Sequence, residues 1–211
     1  MKSILISIHP KHCLHIASGI KTNEIRKNKP KFLAPFKCYI YATKPKHFYH
    51  ISKELLISDE SLFLVNDKVT MCDGFGLEYE DPNYLHLNGM IIGEFICDEI
   101  CIYTQAIFDE QEPFDTEEIA ELLDSSKLTY SELRKYVGTK DFYAWHISNV
   151  IIYNKPRYLR EFTTPTICKS EVAKKMMCNT CCLSSYFCSK KPKRITKAPQ
   201  SWCYVQCTKE E

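Results

Sequence analysis

Short apolar runs broken by turn residues fill the first part of the chain, and two amphipathic stretches interrupt the rest. Residues 4–8 (ILISI) stop at His9-Pro10 and predict a buried strand. Pro10 suits the first turn of a following helix, with Cys13, Leu14, Ile16 and Ala17 as its stripe and Gly19 as its left-handed stop. Residues 22–27 alternate around Ile25 and predict a second strand, and residues 38–43 (CYIYAT), aromatic and β-branched, a third. From about 44 to 87 the pattern is mixed, with Gly74, Gly76 and Asp81-Pro82 as punctuation, and reads as an insertion. Asn88-Gly89 is a hairpin-turn signal, and MIIGEFICDEICIY behind it predicts one central strand or two. Asp115 with Glu118, and Thr129 with Glu132, have helix-cap spacing. They precede the stripes Ile119/Leu122/Leu123 and Leu133/Tyr136/Val137, and Gly138 closes the second helix. Residues 145–153 and 202–205 predict the remaining strands, while 169–198 are basic, cysteine-dense and without apolar period. The class is α+β, mainly β. Single helices between strands also allow a parallel sheet, but no glycine-rich phosphate loop follows any strand.

The 211 residues suit one domain, 1–211, enlarged by insertions at about 44–87 and 169–198. At 45% hydrophobic the chain is too apolar for disorder, and no uncharged run approaches the ~20 residues that span a bilayer. The opening MKSILISIHP is too short to be a secretory leader, so a cytoplasmic location is expected, with no membrane partner. The 12 cysteines then read as reduced thiols or metal ligands. The net charge of +2 hides a strong asymmetry. Residues 1–60 hold 11 Lys/Arg against 4 Asp/Glu, residues 61–150 hold 5 against 18, and residues 151–211 hold 12 against 4. Basic ends suit a polyanion partner; mutual neutralisation within the fold is the plainer reading.

The sharpest local feature is Gly19-Ile20-Lys21-Thr22-Asn23-Glu24-Ile25-Arg26. On a strand Thr22, Glu24 and Arg26 share one face, and Ile25 takes the other, toward a core. Glu24 then stands between Arg26 and Lys21, a carboxylate between two cations suited to a polar planar group or an anion. A cross-strand charge ladder on a solvated sheet is the alternative. Glu94 is a carboxylate on an apolar strand, expected on the face of Ile92 and Ile96. With Lys21 it would form an acid–base couple for amide or amidine hydrolysis, or else a buried ion pair without turnover. Tyr143, Trp145, His146 and Trp202 could stack on a base, with Trp145 in the core or a cleft wall and His146 as the polar reader. His9, His12 and His15 are expected to be structural, since no acidic partner accompanies them. Cys178-x2-Cys181 has zinc-knuckle spacing, and Cys188 with Cys203, or with Cys168 or Cys207 instead, could complete a structural zinc site. Idle surface thiols are the alternative. The run Lys190-Lys191-Pro192-Lys193-Arg194 is either a phosphate-contacting patch or a solvated loop.

The spacing G-x-K-x-x-E-x-R, after a strand and a glycine-ended helix, resembles the signature of ASCH domains. The likeness extends through Asn88-Gly89-Met90-Ile91-Ile92-Gly93-Glu94-Phe95, Tyr143-Ala144-Trp145-His146-Ile147 and Pro199-Gln200-Ser201-Trp202-Cys203-Tyr204-Val205. It covers residues 3–153 and 197–206, and its last two blocks look like a subgroup common in bacterial and phage genomes. The resemblance implies a PUA-like β-barrel with peripheral helices, here carrying a cysteine-rich insertion, and an RNA or nucleoside ligand. The implied cleft is lined by Lys21, Glu24, Arg26 and Glu94, with Tyr143, His146 and Gln200 nearby, and needs no cofactor. In some small ASCH proteins the matching lysine and glutamate are implied to deacylate a modified cytidine. Those proteins look to carry threonine where this chain has Glu24. An amidohydrolase or nuclease using Lys21, Glu94 and Glu24 is therefore one alternative, and a phage-borne protein-interaction module with an unknown partner is another.

Overall fold

The computed structural model describes residues 2–44, 71–72, 78–79, 87–108, 116–165 and 193–207. Strand β1 (Ser3–Ile8) leads into helix α1 (Pro10–Ala17), and β2 (Asn23–Arg26) and β3 (Phe36–Ala42) follow. The short pair β4 (Met71–Cys72) and β5 (Glu78–Tyr79) forms its own two-stranded sheet. Then come β6 (Ile91–Tyr103), α2 (Thr116–Ser126), α3 (Tyr130–Val137), β7 (Phe142–Arg157), β8 (Phe162–Thr163) and β9 (Trp202–Cys207). The main sheet has seven strands in the order β2-β7-β6-β3-β1-β9-β8. The pairing β1–β3 is parallel and the others are antiparallel.

Both faces of β1 and β3 are covered, which explains why their apolar runs are nearly unbroken. Ile4, Ile6, Ile8, Phe36, Cys38 and Ile40 enter a core capped by α1 through Cys13 and Ile16. Leu5, Tyr39 and Tyr41 point the opposite way, into a second cluster with Ile91, Phe162 and Val205. A third cluster forms where Ile25, Phe142 and Ala144 meet Leu122 of α2 and Leu133 and Val137 of α3.

The caps form largely as the pattern predicts. Thr129 and Glu132 make a reciprocal capping box on α3, and Gly19 and Gly138 adopt φ of +76° and +65°. Asp115 lies outside the described residues. Asn88-Gly89 makes a turn, with Met90 N donating to Leu87 O, but the strand behind it pairs with β3 and β7. The predicted strand over 145–153 is only part of β7, which runs 16 residues, and MIIGEFICDEICIY supplies one 13-residue strand with bulges. Among the described residues, no helix is long and apolar enough to cross a membrane.

Candidate functional site

Two elements set the position of the Lys21–Arg26 segment. Lys21 N donates to His15 O at the end of α1, and Thr22 N donates to Ser125 O at the end of α2. Asn23 Nδ2 reaches Ser125 Oγ at 3.0 Å, and β2 then pairs with β7, placing Glu24 opposite Trp145 and Arg26 opposite Tyr143. The alternation puts Ile25 into the helical cluster and turns Glu24 and Arg26 inward, toward α1 and the main core.

The inward face is sealed. Lys21, Glu24 and Arg26 are 2%, 7% and 6% exposed, so the array is neither a solvated ladder nor the lining of an open cleft. Glu24 Oε2 lies 3.3 Å from Lys21 Nζ, and its Oε1 lies 2.8 Å from an Arg26 nitrogen. Lys21 also donates to the Ser126 carbonyl, at the negative end of the α2 dipole. Arg26 donates to Ser7 O at 2.7 Å and to Ser201 Oγ at 3.2 Å. These last two bonds draw β2, one edge of the sheet, back onto β1 and the entry to β9. The curled sheet is closed there by a guanidinium and not by strand pairing.

Burial pushes the Glu24 carboxyl up, but Lys21, Arg26 and His12 together outweigh it and hold it below the usual carboxylate range. Burial holds Lys21 below the ordinary lysine range, against the pull of Glu24. His12, on the α1 face toward the array, is held neutral down to about 4 by burial and by Lys21. Arg26 Nε and His12 Nδ1 are buried with no hydrogen-bond partner among the described residues. Tyr136 of α3 lies against Arg26 and Glu24, half-exposed, with Lys27 Nζ 5.1 Å from its ring centre. His12, Ser7, Ser126, Ser201 and Tyr136 were not legible as site residues in the sequence. Tyr136 reads there as one more position of a helical stripe, and the serines act mainly through backbone carbonyls.

Other expected site residues lie elsewhere. Glu94 is held by Lys37 Nζ at 2.5 Å and by the Tyr153 hydroxyl. Lys37 stands on the β3 face opposite Cys38, and Cys38 feels the field of Arg26 and Glu24. The sheet therefore separates Glu94 from Lys21, and the two form no acid–base couple. The physical reason is a register shift between Ile91 and Gly93, which swings Glu94 away from the face of Ile92. His146 also faces outward, its Nδ1 2.6 Å from Asp98 Oδ1, on the sheet face opposite Trp145. Tyr143 shares the inward face with Arg26 and packs beside Lys29, 5.4 Å from its ring centre. Trp145 is fully buried against Phe36 and Trp202, so the four aromatic residues make no common stacking platform. Gln200 is exposed, one residue before Ser201. Cys203 carries a free thiol pushed up to about 11 by burial, and Cys178, Cys181 and Cys188 lie outside the described residues. No group of three or more His, Cys, Asp or Glu among the described residues could hold a metal ion.

No family model and no curated protein matches the chain. Its structure is similar to the crystal structure of ASCH from Zymomonas mobilis, at 16% identity over 97% of this chain and 88% of that one, with a TM-score of 0.49. A serine-to-alanine variant of the same Zymomonas protein matches at 16% identity over 97% of this chain and 89% of that one, with a TM-score of 0.50. A tyrosine-to-phenylalanine variant matches at 16% identity over 98% and 91%, with a TM-score of 0.47. At a TM-score of 0.50, the second of these likenesses shows a shared fold.

Proposed function

We propose that this chain is an ASCH protein that binds RNA or a nucleoside at the Lys21–Glu24–Arg26 array. The carrying observation is the buried array itself, with two cations on one carboxylate and an Arg26 Nε that has no partner among the described residues. A fold gains little stability from such an arrangement, because desolvating three charges costs as much as their attraction returns. Retained inside an ASCH fold, it suits a ligand that offers an acceptor to Arg26 and a donor to Glu24, as a nucleobase edge does. Tyr136, half-exposed beside Arg26, is the side chain a ligand has to displace. Hydrolysis through a Lys21–Glu94 couple is not part of this proposal, since the two residues lie on opposite faces of the sheet.

Calorimetric titration of cytidine and of a short single-stranded RNA into wild type and Lys21→Met tests the reading. Lys21→Met leaves Glu24 and Arg26 as a balanced pair, so the fold is retained. Wild type is expected to bind and Lys21→Met to bind at least tenfold more weakly, the scale of one lost charged hydrogen bond. A folded wild type that binds neither ligand overturns the proposal. Acylated cytidines in the same series separate binding from hydrolysis, and release of free acid would move the protein from binder to enzyme.

A further inference from the structure

We infer that the surface built by Tyr158, Arg160, Lys193, Arg194 and Lys197 is a second, outer contact for single-stranded RNA. The inference rests on the array reading for its ligand class and deepens it: the ligand is a polynucleotide strand, not a free nucleoside. Backbone pairing brings the two segments together. Thr164 N donates to Lys193 O, Ile195 N donates to Phe162 O, and Arg194 bridges to Thr163. Residues 193–195 thus extend the β8 edge of the sheet and stand beside the turn that carries Tyr158 and Arg160.

Cations outnumber carboxylates on this edge, and Glu161 in the turn is engaged by Arg157 and Tyr158 N. Arg160, Lys193, Arg194 and Lys197 are exposed, and none forms an ion pair with a described residue. By contrast, Lys21, Arg26, Lys37 and Lys127 each meet a carboxylate. Tyr158 is 52% exposed, and the Arg160 guanidinium lies 4.8 Å from its ring centre. An exposed aromatic face backed by a guanidinium, beside an edge whose exposed cations meet no carboxylate of the described residues, is the combination that binds single strands, with bases on the ring and phosphates on the cations. Duplex recognition would not use the ring, because stacked bases offer it no face.

The surface is also tied to the array. The stretch that carries Lys193, Arg194 and Lys197 ends at Ser201, the hydroxyl that receives Arg26. Arg194 and Ser201 are seven positions apart, a reach of at most about 25 Å if fully extended. A strand held on the outer edge can therefore present a nucleotide near the Arg26 seam.

The experiment uses the full chain and a fluorescent single-stranded RNA of about 12 nucleotides, within the span of a single-strand site. Wild type is compared with Tyr158→Ala and with the triple variant Lys193→Ala/Arg194→Ala/Lys197→Ala, measured against salt. Tyr158→Ala is expected to bind roughly tenfold more weakly, the size of one lost base stack. The triple variant should flatten the slope of log affinity against log salt by about 2, or ~0.7 for each lost phosphate contact. All five side chains are exposed, so melting temperatures and cytidine binding should match wild type. Unchanged RNA affinity and salt slope in both variants overturn the inference, as does displacement of the RNA by polyglutamate as readily as by unlabelled RNA. If Lys21→Met abolishes cytidine binding while the surface variants keep full RNA affinity, the outer contact falls and the array reading stands. If the surface variants lose RNA while Lys21→Met retains both ligands, the outer contact stands and the array reading falls.

Discussion

Glu24 is the counter-charge on which two buried cations depend. Glu24→Gln keeps the shape of the side chain but leaves Lys21 and Arg26 facing each other without an anion. Breaking a buried ionic group in this way costs about 3 kcal/mol or more, so the urea midpoint should fall sharply. A Glu24→Gln variant as stable as wild type would mean that the array is solvated in solution. His12 adds a pH dependence of definite sign. Its folded-state value of about 4 lies below the 6.5 of an unperturbed histidine, chiefly because of burial, so the unfolded chain takes up the proton first as pH falls. Stability should therefore hold above 6.5 and decline by about 3 kcal/mol between there and 4. Glu24 adds a further loss at still lower pH, as acid passes through its depressed folded value. Urea titrations at pH 7, 5.5 and 4.5 check this, and His12→Gln should flatten the upper part of the curve. At this scale the sequence was informative about Lys21, Glu24 and Arg26, because strand alternation needs only i and i+2. It was silent on His12 and Ser201, whose roles depend on elements far apart in the chain.

Strand geometry explains where pattern reading succeeded and where it slipped. Strands β1 and β3 could be read from unbroken apolar runs, and α3 from its capping box, since each signal is local. Simple alternation puts Glu94 on the face of Ile92, and a bulge between Ile91 and Gly93 reverses that alternation. Gly93 records the same irregularity. A Cβ built there would stand 2.3 Å from the Ile151 carbonyl oxygen and 3.2 Å from the Ile152 Cα, both backbone atoms that cannot give way cheaply. Gly93→Ala should force β6 from β7 and cost about 3 kcal/mol, the upper end for overpacking, read as a drop in melting temperature. Gly138 makes a contrast. Its φ of +65° strains any other residue, but open space surrounds the built Cβ. With ψ at −123°, outside the left-handed helical region, Gly138→Ala should cost about 1–2 kcal/mol, all of it backbone strain and none of it a clash. Equal losses at the two glycines would show that the close β6–β7 approach is not what fixes Gly93.

At the scale of the whole molecule, one side chain supplies the hydrogen bonds across the seam of the curled sheet, beside the packing of Trp145 on Trp202. The resemblance implies a barrel, but how the edge of the sheet is held is not legible in the sequence. Among the described residues, strand β2 pairs with β7 alone, and its hydrogen bonds to β1 and the entry to β9 come from Arg26 on Ser7 O and Ser201 Oγ. Sites closed by side chains open locally at lower cost than sites closed by strand ladders, which gives a sealed array a route to its ligand. Arg26→Met keeps the apolar stem and removes both seam bonds along with one partner of Glu24. Amide exchange should then quicken first in β2 and at Ser7 N, which donates to Ser201 O on the β1–β9 side of the seam, while β3 and the central part of β6 keep their protection. If protection falls together in every strand, Arg26 is part of the global core and the array opens only when the whole domain unfolds. If β2 exchanges ahead of the rest, the seam is the door, and ligand binding in wild type should slow exchange at those same amides.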